Sequence, residues 1–161
     1  MKAMLRNLAF LAISLFFASG SAHAAQWVYA QGTNAVLEYP TNTTSSYYKG
    51  WGLDFVEKAY TGNWVHSSIT TGGLYQSRYI YVQYYKQYAG GYINDVHIYN
   101  GASRIATLLA PYSATAGWNS FTVDLGAVYS FYGGLGVSLS VYPASGVNTE
   151  FAIGSVAAYF Q

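Results

Sequence analysis

The sequence predicts an all-β fold, an antiparallel β-sandwich of jelly-roll type made of about ten short strands behind a signal peptide. Three observations carry this. After residue 24 no segment keeps a helical period for three turns, apolar and polar residues alternate in short runs, and glycine, proline and asparagine separate those runs. With no helices to cover a parallel sheet, antiparallel sheets packed face to face are the arrangement left. No fixed-period repeat is present, which disfavours propellers and solenoids.

The amino terminus has the three parts of a secretory signal. Lys2 and Arg6 are the charged start, Leu8 to Ala18 the apolar run, and Ala22-His23-Ala24 the small-residue cleavage site. The chain therefore divides into residues 1–24, a cleaved signal, and residues 25–161, a single β-sandwich domain that is secreted, periplasmic or held at the cell surface. No second apolar run reaches the roughly twenty residues that a membrane helix needs. Without the signal, five basic residues stand against six acidic ones, and no basic cluster marks a nucleic-acid partner. A domain of this size buries enough surface to fold without disulfides, consistent with an exported chain that has no cysteine.

Taken in order, Gln26 to Gln31 and Ala35 to Tyr39 read as two short strands around Gly32-Thr33-Asn34, the second closed by Pro40. Thr41 to Ser46 reads as a polar loop. Gly50 to Ala59 alternates Leu53 and Phe55 with Asp54 and Val56, and Trp64 to Ile69 follows as another strand. Arg78 to Tyr88 and Tyr92 to Tyr99 are the tyrosine-loaded pair discussed below. Asn100-Gly101 is a strong turn signal before Ser103 to Leu109, and Ser120 to Tyr129 puts Phe121, Val123 and Leu125 on one side. Leu135 to Pro143 alternates most cleanly, and Glu150 to Phe160 is the last strand.

Parity places the side chains of the tyrosine-loaded pair. Ile80, Val82 and Tyr84 share one face of their strand, as do Val96 and Ile98 of theirs, because side chains alternate. Read as a hairpin closed by Ala89-Gly90-Gly91, the strands pair Val82 with Ile98 and Tyr84 with Val96 toward the core. The reverse face then pairs Tyr81 with Tyr99, Gln83 with His97 and Tyr85 with Asp95. Ile93 falls in phase with that reverse face.

Several pieces read together: Gln26-Trp27-Val28 with Ala35 to Pro40, Gly50 to Phe55, Asn63-Trp64-Val65-His66, Asn94 to Gly101 and Gly134 to Ser138. In this order they resemble a family of small bacterial single-domain β-sandwich-like proteins, defined only as a domain of unknown function. The resemblance implies one β-sandwich-like domain and no particular activity. More tyrosine around residues 78–99 and an extra glycine-rich turn set this chain apart from that pattern.

The chemistry-bearing residues are few. Asp95 and His97 lie two residues apart on one strand face, about 6.6 Å by strand rise, too far for a direct hydrogen bond. His66 with His97 and Asp95 would make a two-histidine, one-carboxylate set, but no contiguous ligand motif accompanies them, so no metal and no cofactor are expected. No strand end gathers acids with a base, and no G-x-S-x-G motif or reactive cysteine is present, so catalysis is not expected. Aromatics make up 19% of the chain against 8% charged residues, and eighteen tyrosines cannot all find partners for buried hydroxyls. The face of Tyr79, Tyr81, Gln83, Tyr85, Asp95, His97 and Tyr99 is thus the expected ligand-binding surface: flat rings rimmed by hydrogen-bonding groups, suited to a glycan or cell-surface polymer. Two alternatives accompany it, a self-assembling surface protein adding strands edge to edge and a small outer-membrane barrel.

Overall fold

The structure, a computed structural model describing residues 24–161, is an antiparallel β-sandwich. The expected signal segment lies outside the described residues. The first sheet runs β3 (Thr43–Lys49), β4 (Gly52–Glu57), β11 (Thr149–Phe160), β6 (Gln76–Lys86), β9 (Gly117–Ser130), and β1 (Gln26–Gln31) also pairs with β11. The second runs β2 (Val36–Leu37), β5 (Asn63–Ile69), β10 (Leu135–Tyr142), β7 (Tyr92–Asn100), β8 (Ser103–Leu109). Among the described residues no helix is long and apolar enough to cross a membrane. The inward residues read from alternation form the core: Leu53, Phe55, Ile80, Val82, Tyr84, Val96, Ile98, Phe121, Val123, Val137, Leu139 and Val141 are all buried.

The hairpin of residues 78–99 is not there. β6 pairs with β11 and β9, β7 pairs with β10 and β8, and the segment between them carries the chain from one sheet to the other. Alternation tells which face of a strand is buried, and a sandwich accepts inward faces from either sheet. It cannot tell which strand is the hydrogen-bonded neighbour. The crossing is held by a buried ammonium: Lys86 Nζ donates to the carbonyls of Ala89 (2.8 Å), Gly91 (2.7 Å) and Ser113 (2.5 Å) beneath the Tyr112 ring. Gly91 passes so close to β11 that a Cβ there would lie 2.9 Å from the Phe151 ring, which suits a crossing.

Three smaller departures have local causes. Thr41 to Ser46, expected as a loop, supplies the start of β3, an exposed edge strand whose backbone pairs with β4, so burial never shaped its sequence. In β7 the register shifts opposite Leu139 to Val141, which turns Ile93 into the core while Asp95 stays outside. Ser140 accepts the Asp95 backbone N–H at 2.8 Å and stabilises this bulge. Finally, the chain forms two open sheets over a filled core, which overturns the alternative of a closed outer-membrane barrel.

One arrangement sets up the site. β11 is paired along one edge by two strands in tandem, β4 against Thr149–Ile153 and β1 against Ser155–Phe160. Where they meet, the backbones crowd: a Cβ on Gly32 would lie 1.7 Å from the Ile153 carbonyl oxygen and one on Gly52 2.1 Å from it. Neither contact is compatible with any side chain. Gly52→Ala is therefore expected to cost several kcal/mol, on the order of 3 or more, or to abolish folding, whereas Gly50→Ala, with nothing within 4 Å of the new methyl, should stay within about 0.5–1 kcal/mol of the parent in a denaturant titration. Equal effects of the two changes would contradict this packing.

Candidate functional site: an aromatic pavement on the first sheet

Between Glu150 and Tyr159 the outer face of β11 carries only small residues. Ala152, Gly154 and Ala157 point outward from this central strand and are covered by rings from its neighbours. Tyr29 of β1 and Tyr81 of β6 flank Ala157 in register, and their rings meet at 6.2 Å. Trp27 touches Tyr81 at 6.2 Å and Tyr159 at 5.4 Å, and Tyr79 continues the group from Tyr159 at 6.5 Å. These edge and tilted contacts are the geometries that aromatic quadrupoles favour.

A second group lies beyond the bulge at Gly154. Trp51, from the β3–β4 turn, meets Trp118 of β9 edge-to-face at 5.3 Å, and Tyr85 packs on Trp118 at 5.8 Å. The two indoles approach only because Gly154 lacks a side chain, since a Cβ there would lie 3.0 Å from both the Trp118 ring and Gln83 Oε1. A depression of about 260 Å³ remains between Trp51, Trp118, Gln83 and Gly154. The rings stay available: Trp27, Trp51 and Trp118 are 37%, 43% and 51% exposed. From Tyr85 to Tyr79 the pavement runs six steps along β6, about 20 Å by strand rise.

Charged groups stand at its margins and are mostly paired. Lys49 binds Asp54 and lies 5.4 Å from the centre of the Trp51 ring. Arg78 makes a bidentate pair with Asp124 at 2.7 and 2.8 Å and lies over Tyr79. Burial, then the neighbouring Asp54 charge, raises the Glu150 carboxyl above its ordinary range. Gln83 sits between the two ring groups and offers an amide.

The expected site residues are split between opposite faces. Tyr79, Tyr81, Gln83 and Tyr85 lie on this pavement, while Asp95, His97 and Tyr99 lie on the outer face of the second sheet, because β6 and β7 belong to different sheets. There the His97 ring packs on Trp64 at 4.3 Å, and His66 is hydrogen-bonded by Nδ1 to the Ser138 hydroxyl (2.7 Å) and by Nε2 to Glu38 (3.0 Å). Ser138 separates His66 from His97 in one cross-strand row. Among the described residues no three His, Cys, Asp or Glu side chains gather as a metal site. Sequence reasoning missed Trp27, Tyr29, Trp51, Trp118 and Tyr159. Parity would have turned Trp27, Tyr29 and Trp118 outward, since Val28 and Phe121 of their strands face the core, but only the strand order brings them to one surface.

No protein-family model matches the chain, and no characterised protein matches it by sequence. Some solved structures are similar to it. A family 29 carbohydrate-binding module from Piromyces equi superposes with a TM-score of 0.51 at 11% identity, covering 84% of this chain and 91% of that one. The carboxy-terminal family 6 carbohydrate-binding module of a laminarinase from Zobellia galactanivorans gives 0.46 at 10% identity over 83% of this chain and 99% of that one. An exo-β-1,3-galactanase from Phanerochaete chrysosporium gives 0.46 at 11% identity over 85% of this chain and 30% of the enzyme. At 11% identity the likeness to the family 29 module speaks for the β-sandwich fold alone.

The second face carries its own titration. Burial, reinforced by the Arg104 charge and opposed by Asp95, holds His97 below the ordinary imidazole value of about 6.5. A histidine depressed in the folded state contributes stability above its unfolded value, which is lost as pH falls through the folded one. Proton NMR titration is expected to place the His97 midpoint below that of a free imidazole, and Arg104→Gln to raise it. A midpoint that is not depressed, or that falls in the variant, would contradict this assignment.

Proposed function

We propose that the domain is a non-catalytic module, exported by its amino-terminal segment, that binds a neutral polysaccharide along the aromatic pavement of the first sheet. The observation that carries the reading is the run of partly exposed rings over a strand whose outward residues between Glu150 and Tyr159 are small. A pyranose ring has C–H-bearing faces and hydroxyls around its edge, so it lies flat on an indole or phenol and directs its polar groups sideways. Gln83 and the Asp54 and Glu150 carboxylates stand where those edge hydroxyls would be met. The cations on this face are engaged by carboxylates, which favours an uncharged polymer over an acidic one. The fold is also that of modules named for carbohydrate binding, and the reading gives this chain the same class of ligand.

Affinity electrophoresis through gels containing mannan, xylan, galactan, β-1,3-glucan or an acidic control tests it. Retardation is expected with at least one neutral polymer and not with the acidic one. If stacking on each ring is worth about 1–3 kcal/mol, as for bases on aromatic side chains, Trp51→Ala and Trp118→Ala should each weaken binding by roughly five- to 150-fold, while Tyr99→Ala on the opposite face leaves it unchanged. Retardation by no neutral polymer, or retardation that survives loss of both tryptophans, would refute the proposal.

A further inference from the structure

A second aromatic site lies at one end of the sandwich. There the connections between β4 and β5, β6 and β7, and β10 and β11 border an open cleft of about 480 Å³, within the range of small-ligand sites. One wall is a pair of rings, Tyr92 and Tyr142, stacked at 5.3 Å with planes 20° apart on the outer face of the second sheet. The space beside them is kept by glycine: a Cβ on Gly62 would fall 2.8 Å from the Tyr142 ring. Among the described residues no charged side chain lines it, and Thr61 and Ser145 are among the residues that do.

Tyr60 stands at its rim in a conformation that tyrosine rarely takes. Its φ is +64° and it is 85% exposed, so its ring gains little from packing. Asparagine or glycine would hold this left-handed position at less cost. The turn is nonetheless fixed on both sides. The Ala59 N–H donates to Asn148 Oδ1 (2.9 Å), and the Thr61 hydroxyl donates to Glu57 Oε1 (2.7 Å), whose carboxylate is buried and also accepts from Asn63. A strained backbone fixed by its neighbours' hydrogen bonds and carrying an exposed ring at the rim of an aromatic cleft is the kind of outlier that points to contact with a ligand.

We propose that this cleft is a second carbohydrate site, taking one or two neutral sugar rings, and that because its aromatic wall lies on the sheet opposite the pavement one domain can tie two polymer chains together. The ligand class follows from the cleft's own uncharged aromatic walls, and only the bridging rests on the reading of the first sheet. Amide chemical-shift mapping with the methyl glycosides of glucose, mannose and galactose tests the site directly. At least one glycoside is expected to give saturable shifts centred on residues 60–62, 90–92 and 142–145. The absence of such shifts with all three would overturn the proposal.

Tyr142→Ala should abolish those shifts and leave pavement binding in place, and the pavement variants Trp51→Ala and Trp118→Ala should do the converse, so the two readings fail separately. Tyr60→Asn is the sharper variant, because it should raise the melting temperature while weakening glycoside binding several-fold. A Tyr60→Asn protein that binds as tightly as the parent, or that melts lower, would count against the role of this ring. Turbidity on mixing with the polymer that retards the protein reads the bridging. It should appear with the parent and vanish with Tyr142→Ala, and equal turbidity from both would exclude bridging through this site.

Discussion

The outer surface of the first sheet depends on the crowding around β11. Two strands share one edge of it, and their junction puts Gly32 and Gly52 against the Ile153 carbonyl with no room for a side chain. At the same level Gly154 bulges out of register with β6. The strand is thus flanked by more backbone than an ordinary sheet strand, and its outward positions at 152, 154 and 157 are small. Large rings from β1, β6, β9 and the β3–β4 turn then close over it and pack on one another. The glycines and the tryptophans form one device, in which bare backbone makes space and the rings occupy its surface.

That device accounts for a composition otherwise hard to place in a domain of low charge. Phenol and indole rings cover the strand while keeping polar atoms at their edges, so they can be half-buried without stranding a hydrogen-bonding group. Aliphatic side chains in the same positions would leave a greasy patch prone to association. The opposite face uses different means: the Trp64 and His97 stack, the hydrogen-bonded His66 and the stacked Tyr92 and Tyr142 make separate local clusters. The two faces are therefore chemically distinct, and a ligand on one is shielded from the other by the core.

Much of the fold was legible from alternation. Leu53 with Phe55, Phe121 with Val123 and Leu125, and Leu135 with Val137, Leu139 and Val141 pointed inward as read, and Asn100-Gly101 marked a true hairpin turn, with Gly101 at a φ of +57°. What alternation lacks is any record of which strand lies beside which. That is why Tyr79, Tyr81, Gln83 and Tyr85 were rightly turned outward and yet were joined to Asp95, His97 and Tyr99 from the far side of the sandwich. Edge strands hide for another reason: Thr43–Lys49 is exposed along most of its length, so no hydrophobic period was written into it. The tryptophans of the pavement were visible one by one, and only sheet order, set by long-range pairing, assembled them.

The four tryptophans give the most direct test, because three of them lie on the pavement and Trp64 lies on the other face. Each indole N–H gives its own resonance, and these can be followed while the protein is titrated with the neutral polysaccharide that retards it. The account requires the Trp27, Trp51 and Trp118 signals to move together along one binding curve while Trp64 stays in place. Movement of Trp64 alone, or no movement of the other three at saturating polymer, would contradict it.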